Sequence, residues 1–258
     1  MVTRRGDGSA GDVDYAPVGD GYSRFRQPDP GIAAFIHAAL GDAATVLNVG
    51  AGAGSYEPEG RAVTAVEPSA SMRAQRPPHL PPAIDAVAES LPFADASFDA
   101  SMTTYSVHQW SDLEAGLGHM RRVTRGPVVV MTCDPGALDR FWLNDYAPEV
   151  IATEARRYPP IERIAALIGR AVTVSSVSIP LLCRDGFNEA YYGRPEMLLR
   201  ADARLACSAW SFVAPEAVAR FEARLRRDLE DGRWDARFGH LRRQPVLEGS
   251  LKLIVGRP

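Results

Sequence analysis

The segment TVLNVGAGAG at residues 45–54 is the most informative part of this chain. Its apolar first half predicts a buried strand at about 45–50, and the glycines that follow permit the backbone conformations of a tight turn. Amide groups in such a turn can gather on an anion. A second apolar stretch predicts a strand at about 62–67 that ends at Glu67, whose carboxylate is placed to accept hydrogen bonds from both ribose hydroxyls. Together these features predict a site for a cofactor that contains a nucleoside.

The spacing of the glycines distinguishes between cofactors. A dinucleotide site places a third glycine three positions after the second, where it helps to seat a pyrophosphate on the following helix. Here that position is Ser55, and Gly50, Gly52 and Gly54 alternate instead. A dinucleotide-dependent dehydrogenase is therefore disfavoured. Only about eleven residues separate the two strands, close to the shortest parallel crossover, so we expect a stunted helix after the glycines.

Three further motifs follow in order: AESLPF at 88–93, SFDA at 97–100 and VHQW at 107–110. Together with VLNVGAGAG and with VEPS at 66–69, they resemble the class I S-adenosylmethionine-dependent methyltransferases, of the ubiquinone/menaquinone-biosynthesis type that acts on small molecules. The resemblance covers about residues 31–134. It implies S-adenosyl-L-methionine as the cofactor and methyl transfer to a small-molecule acceptor.

The resemblance also implies which residues hold the cofactor. The glycine turn would lie against the methionine part, Glu67 would bind the ribose, and Ala88-Glu89 would lie beside the adenine. A tyrosine and an arginine of the N-terminal arm would approach the methionine carboxylate, for which a guanidinium is a suitable partner. The residues assigned to the cofactor in this way are Tyr22, Arg26, Gly50, Ala51, Gly52, Glu67, Pro68, Ser69, Met72, Ala88, Glu89 and Thr104.

Two positions depart from the family pattern. Asn48 replaces the acid that usually precedes the glycines, and Val87 stands where an aspartate is common. Glu89 could then contact adenine or simply cap the following turn. These departures favour an alternative function: an S-adenosylmethionine-binding scaffold that performs a non-methylating cyclisation or isomerisation, or has no catalytic activity.

The acceptor site is predicted from residues near the expected ligand edge. His108 is the candidate catalytic base, because the strand at 98–104 ends at that edge, and its alternative is a structural histidine at a helix entry. The residues predicted to line an aromatic acceptor pocket, each of which could instead pack in a core, are Tyr105, Trp110, Trp142, Tyr146 and Tyr191. As a group they favour a flat, apolar acceptor, such as an aromatic or heterocyclic secondary metabolite. The scattered histidines form no ligand pair, so no metal is indicated.

Composition restricts the partners and the location. The chain has 258 residues, a net charge of −3 and a pI of about 6.0, so it has no overall basic field to attract nucleic acid. Its three cysteines are widely spaced, which fits a reducing cytoplasm. We expect no membrane span, because no apolar run is long enough. The sequence leaves a homodimer open.

Alternating strand and helix patterns predict an α/β fold with a doubly wound, mostly parallel, seven-stranded sheet of the Rossmann-like methyltransferase type and a helical cap. Beyond the first two strands, we expect strands at 83–87, 98–104, 127–133, 171–180 and 250–255. The chain is predicted to form a single methyltransferase-like domain (1–258), divided into a mobile N-terminal arm (1–30), a cofactor-binding core (31–134), a continuation of the sheet and helices (135–182), a helical cap insertion (183–248) and a last strand (249–258).

Overall fold

The computed structural model describes residues 24–258 together with Gly6, Gly8 and Gly11. The strands are β1 Thr45–Val49, β2 Ala62–Val66, β3 Ala100–Thr104, β4 Val128–Cys133, β5 Ala171–Ser176, β6 Ile179–Pro180, β7 Val246–Leu247 and β8 Leu251–Arg257. The α-helices are α1 Pro30–Ala39, α2 Ala70–Ala74, α3 Leu113–Val123, α4 Leu143–Tyr146, α5 Pro148–Arg157, α6 Ile161–Ile168, α7 Ala201–Leu205, α8 Pro215–Glu230 and α9 Arg233–Phe238.

Within these residues, the main sheet has six strands in the order β2-β1-β3-β4-β8-β5. The pairs among β2, β1, β3 and β4 are parallel, whereas β8 runs antiparallel to both of its neighbours. The second sheet is the short antiparallel pair of β6 and β7. This mixed α/β architecture confirms the predicted Rossmann-like fold class.

The sheet is covered on both faces, and the two-residue period of a strand divides its side chains between two apolar cores. Val46, Met102 and Val129 contribute to the core that contains α1 and the segment after residue 183. Leu47 and Val130 contribute to the other, which contains α3 and α6. All six residues of β4 are buried, as expected for a central strand.

The third of the seven predicted strands, at 83–87, is wrong as a full strand. Only Ile84 pairs there, in one parallel bridge with Val66. Its amide donates to the carbonyl of Ala65 at 2.8 Å, and its carbonyl accepts from the amide of Glu67 at 3.0 Å. Pro81 and Pro82 precede it and lack the N–H group that would extend the ladder.

The strand predicted at 171–180 is also divided. β5 ends at Ser176, and Ile179–Pro180 joins the second sheet through β7 instead. Between β1 and β2 the chain forms turns and no helix, so the helix expected to be stunted after the glycines is absent there.

Local sequence explains where the helices begin and end. The Asp29 carboxylate accepts hydrogen bonds from the amides of Gly31 and Ile32 and caps α1. Asp112 caps α3 in the same way through Ala115. The α8 helix starts at Pro215 and precedes Gly232, whose φ of 72° suits glycine. No helix in the described ranges has the length and apolarity needed to cross a membrane.

Candidate functional site

A pocket of about 110 Å³ lies where the carboxyl ends of β1, β2 and β3 meet, the edge at which ligands bind in open α/β sheets. We call it the edge pocket. The residues predicted from the sequence that line it are Arg26, Gly50, Ala51, Gly52, Glu67, Pro68, Met72, Ala88, Glu89, Thr104, Tyr105 and Trp110. The lining residues that were not predicted are Gly11, Ala53, Ser55, Tyr56, Val87, Ser106, Gln109 and Asp185. Tyr22 lies outside the described residues.

The glycine turn forms one wall of the edge pocket. Gly50, Gly52 and Gly54 have φ values of 67°, 52° and 95°, a region that other residues rarely adopt. A Cβ atom at Gly50 would lie 1.9 Å from the Oγ atom of Ser106, which itself accepts a hydrogen bond of 3.0 Å from Trp110. The turn therefore requires glycine for its conformation and for its close approach to the loop after β3.

Glu67 is buried at the base of the pocket, with 8% of its surface exposed. One carboxylate oxygen accepts a hydrogen bond from the amide of Gly52 and the other from the amide of Ser69, both at 2.8 Å. Because each oxygen of an ionised carboxylate can accept more than one hydrogen bond, the two amides orient the group without exhausting its capacity. Ser69 lies behind it and caps α2 by accepting from the amide of Met72.

Glu89 contacts both the pocket and the loop before α3. One of its carboxylate oxygens accepts hydrogen bonds from the Ser111 amide at 2.8 Å, the Ser111 hydroxyl at 2.9 Å and the Asp112 amide at 3.2 Å. The capping role that the sequence left open is thus present in the structure. Ala88 is buried beside it.

A buried ion pair supports the glycine turn from behind. Arg76 donates to both oxygens of Glu57, at 2.9 and 3.0 Å, and the side chains are 4% and 2% exposed. The Asn48 amide group donates to the same Glu57 carboxylate at 3.0 Å. The negative charge that the family places before the glycines is therefore supplied here by Glu57. Sequence patterns do not reveal this pair, because Glu57 and Arg76 are 19 residues apart and lie in separate loops on either side of β2 and α2.

The N-terminal arm, the glycine loop and the segment after residue 183 meet at one carboxylate. Arg26 Nε donates to Asp185 at 2.5 Å, and the Tyr56 hydroxyl donates to its other oxygen at 2.8 Å. Burial and the neighbouring Asp185 raise the pKa of Tyr56, so it remains a neutral donor. The Arg26 guanidinium was predicted to bind the methionine carboxylate, and in the structure it pairs with the carboxylate of Asp185.

Tyr105 follows β3 with a φ of 50°, which is an outlier for an aromatic residue and a sign of local strain. Its hydroxyl is buried and has no hydrogen-bond partner among the described residues. The Arg26 guanidinium lies 5.0 Å from its ring centre. Burial and the charge of Asp185 raise the pKa of Tyr105, which keeps the hydroxyl protonated at the pocket wall.

The other predicted acceptor residues lie away from the edge pocket. His108 is in a 3-10 turn, where its ring packs on Tyr158 with centres 4.6 Å apart. Trp142 donates to the Tyr192 carbonyl at 3.0 Å and packs on other aromatic rings.

Tyr146 and Tyr191 also belong to the packed interior. The Tyr146 hydroxyl donates to Asp228 at 3.2 Å, and Tyr191 is 2% exposed. With Trp142, they join the core shared by α4, α8 and α9, and their positions do not support the predicted acceptor wall. No group of three or more His, Cys, Asp or Glu side chains in the described ranges is arranged to hold a metal ion.

Residues 47–130 match the family model of the methyltransferase domain. Over that segment the chain carries a methyltransferase domain, and the similar proteins below support a class I S-adenosylmethionine-dependent methyltransferase. A protein of Anabaena variabilis ATCC 29413, assigned as a methyltransferase from an antibiotic biosynthesis pathway, has a similar solved structure with a TM-score of 0.84. It is 29% identical, and the match covers 91% of this chain and 99% of that one.

Among curated proteins, the malonyl-[acyl-carrier protein] O-methyltransferase of Erwinia pyrifoliae is 34% identical over 141 residues, which cover 51% of this chain. The match spans half the length of that relative. A solved [4+2]-cyclase, SpnF, is 16% identical with a TM-score of 0.51, over 88% of this chain and 87% of that one, and shows the fold alone.

The edge pocket of this methyltransferase domain suits S-adenosylmethionine, its cofactor. Glu67 presents an oriented carboxylate at the pocket, and the bare backbone at Gly50 and Gly52 leaves room beside it. Met72 and Ala88 add apolar surface to the lining.

Proposed function

We propose that this protein transfers the methyl group of S-adenosylmethionine to a small-molecule acceptor. The observation that carries the proposal is the Glu67 carboxylate, fixed by the amides of Gly52 and Ser69 at the end of β2, beside a glycine turn that excludes side chains. This arrangement suits a ligand with a diol and an adjoining extended chain. It favours S-adenosylmethionine over a ligand without a ribose.

When bound, the cofactor supplies a methyl group on a positively charged sulfur, which is its own leaving group. The protein then contributes mainly by position. The amides of the glycine turn would lie against the methionine portion, Glu67 would hold the ribose, and Tyr105 would present a hydroxyl beside the reacting region. The residues assigned to these roles all line the edge pocket.

The acceptor that we propose is a small secondary metabolite, and the family subtype is the ubiquinone/menaquinone-biosynthesis type. The relative from an antibiotic biosynthesis pathway, which matches nearly the whole chain, supports this class. The net charge of −3 gives no attraction for nucleic acid. The three free, buried cysteines fit our expectation of a cytoplasmic protein.

The test is turnover of S-adenosylmethionine to S-adenosylhomocysteine against a panel of metabolites, with binding of S-adenosylhomocysteine measured separately by calorimetry. Methyl transfer requires both binding and production of S-adenosylhomocysteine with a methylated acceptor. The alternative, a scaffold with a non-methylating or no activity, would bind the cofactor and convert none of it. Because a cyclase shares this fold, the fold alone does not decide between them. Failure to bind S-adenosylhomocysteine would contradict both.

A further inference from the structure

Beside the edge pocket, at the carboxyl end of β4, lies a group of polar side chains that the cofactor does not explain. We call Cys133, Glu154, Tyr158 and Asn188 the β4-end cluster. Cys133 is the last residue of β4, Glu154 lies on α5 with Tyr158 just after it, and Asn188 begins a 3-10 turn. The Tyr158 ring packs on His108, and Ser106 and Gln109 of the same loop line the edge pocket. The cluster therefore adjoins the loop that closes the edge pocket.

A chain of buried hydrogen bonds holds the Glu154 carboxylate in this cluster. Trp210 donates to the Asn188 side-chain oxygen at 2.9 Å, and the Asn188 nitrogen donates to Glu154 at 3.0 Å. Asn188 and Trp210 are 2% and 6% exposed. Because the indole occupies the amide oxygen, the amide nitrogen must face Glu154. A carboxylate can accept about four hydrogen bonds, so Glu154 is oriented and keeps the capacity to accept more.

Burial and the charges around Glu154 bring its pKa close to neutral pH. Burial and the nearby Glu189 raise the pKa of Glu154 to about 7, against the opposing effects of Asn188, Arg157 and Arg26. Arg26 also lines the edge pocket, which joins the two regions electrostatically.

Burial dominates at Glu154 and also raises the pKa of Tyr158, yet both residues keep part of their surface accessible. The hydrogen bond from Asn188 and the packing of Tyr158 on His108 therefore place an oriented, partly accessible carboxylate near the loop that lines the edge pocket.

We propose that Glu154 accepts the proton of the methyl acceptor, which is a protic nucleophile: an alcohol, a phenol or an amine. The inference rests on the proposed function. The acceptor's oxygen or nitrogen forms a bond to the methyl carbon, the carbon–sulfur bond breaks with its electron pair left on sulfur, and the proton passes to a Glu154 oxygen. A methylated acceptor, a neutral thioether and a protonated Glu154 result. Asn188 and Trp210 are positioning residues, and His108 packs against Tyr158 instead of serving as the base.

The test uses binding and needs no known acceptor. Sinefungin is a cofactor analogue that carries an amine at the carbon replacing the methylated sulfur, whereas S-adenosylhomocysteine carries no group there. Calorimetry gives the ratio of their dissociation constants for the wild-type chain, Glu154→Gln and the control Glu162→Gln, whose residue is exposed on α6. At pH 8 we expect Glu154→Gln to reduce the preference for sinefungin about tenfold, the strength of one charged hydrogen bond. The control should leave it unchanged.

The wild-type chain provides a second measurement that requires no variant. The preference for sinefungin should fall between pH 8 and pH 6, as Glu154 takes up a proton. Glu154→Asp, which withdraws the charge by one methylene, should give an intermediate preference. If S-adenosylhomocysteine binds but the preference is insensitive to pH and to position 154, the inference is wrong and the proposed function is unaffected. If S-adenosylhomocysteine does not bind to the wild-type chain, the proposed function fails first.

Discussion

Glu57→Gln tests whether the buried pair behind the glycine turn sets both stability and cofactor affinity. The change removes the charge that faces Arg76, whose side chain is 4% exposed, while keeping the size of the side chain. Loss of one partner from a buried pair costs about 3 to 5 kcal/mol. Arg76 keeps two hydrogen bonds to the Pro81 carbonyl, so we expect the low end, about 3 kcal/mol. For a chain of this length that lowers the Tm by about 6 to 12 °C.

Thermal melting and urea unfolding measure the loss, and calorimetry with S-adenosylhomocysteine measures affinity. The matched control is Glu59→Gln, which neutralises an exposed carboxylate two residues further along the same loop. The control should change the Tm by no more than about 1 to 2 °C, the effect of an ordinary surface substitution. Equal shifts for the two variants would show that the Glu57–Arg76 pair contributes nothing to stability.

Exchanging the amide of Asn48 and the carboxylate of Glu57 between the two positions gives a stricter test. Asn48→Asp alone would place a second carboxylate against Glu57, where the present contact is 3.0 Å, and should also destabilise. The double variant Asn48→Asp/Glu57→Gln again has one carboxylate and one amide, which can form the same hydrogen bond. We expect its loss of unfolding free energy to be smaller than the sum of the two single losses by more than about 1 kcal/mol. Strict additivity would refute the idea that Glu57 replaces the acid usually found at position 48.

Three further outcomes can be measured with the same protein. Glu67→Ala should raise the dissociation constant of S-adenosylhomocysteine more than about tenfold in calorimetry, since it removes two charged hydrogen bonds. Gly50→Ala should abolish measurable binding, because its Cβ would lie 1.9 Å from Ser106 Oγ. The folded-state pKa of Glu154, about 7, exceeds the ordinary value of 4.5, so this carboxyl costs stability as the pH rises through that interval. Glu154→Gln should therefore raise the Tm at pH 8 and match the wild type near pH 4, whereas equal melting at both pH values would contradict the shift.

The parts of the fold that the sequence predicted correctly depend on local patterns. Apolar runs predict β1, β2 and β4, and the alternating glycines predict a turn that only glycine can form. The apolar pattern failed at residues 83–87, because Pro81 and Pro82 just before them lack the amide N–H groups that would extend the strand. An apolar run alone could not report that loss.

The contacts within the edge pocket could be anticipated from the sequence only where the partners lie close together in the chain. Glu67 and its backbone donors lie within 15 residues of one another. Asp185, by contrast, contacts Tyr56 and Arg26 across 129 and 159 residues, and no spacing rule connects them. Trp142 and Tyr146 were misplaced for another reason: large aromatic residues serve a helical core as readily as a binding wall, so residue type alone does not distinguish the two.

Arg26 connects these separate elements physically. It pairs with Asp185, lies over the Tyr105 ring and lowers the pKa of Glu154, so one guanidinium acts on the edge pocket and on the β4-end cluster together. Because Asp185 neutralises the guanidinium, the pair leaves no net positive charge at the pocket wall to repel the sulfonium of the cofactor. The effect of Arg26 on Glu154 is to favour the ionised form of that carboxyl, which is the form that accepts a proton. One guanidinium therefore holds the arm at the edge pocket through its ion pair and supports the ionised state of the proposed base.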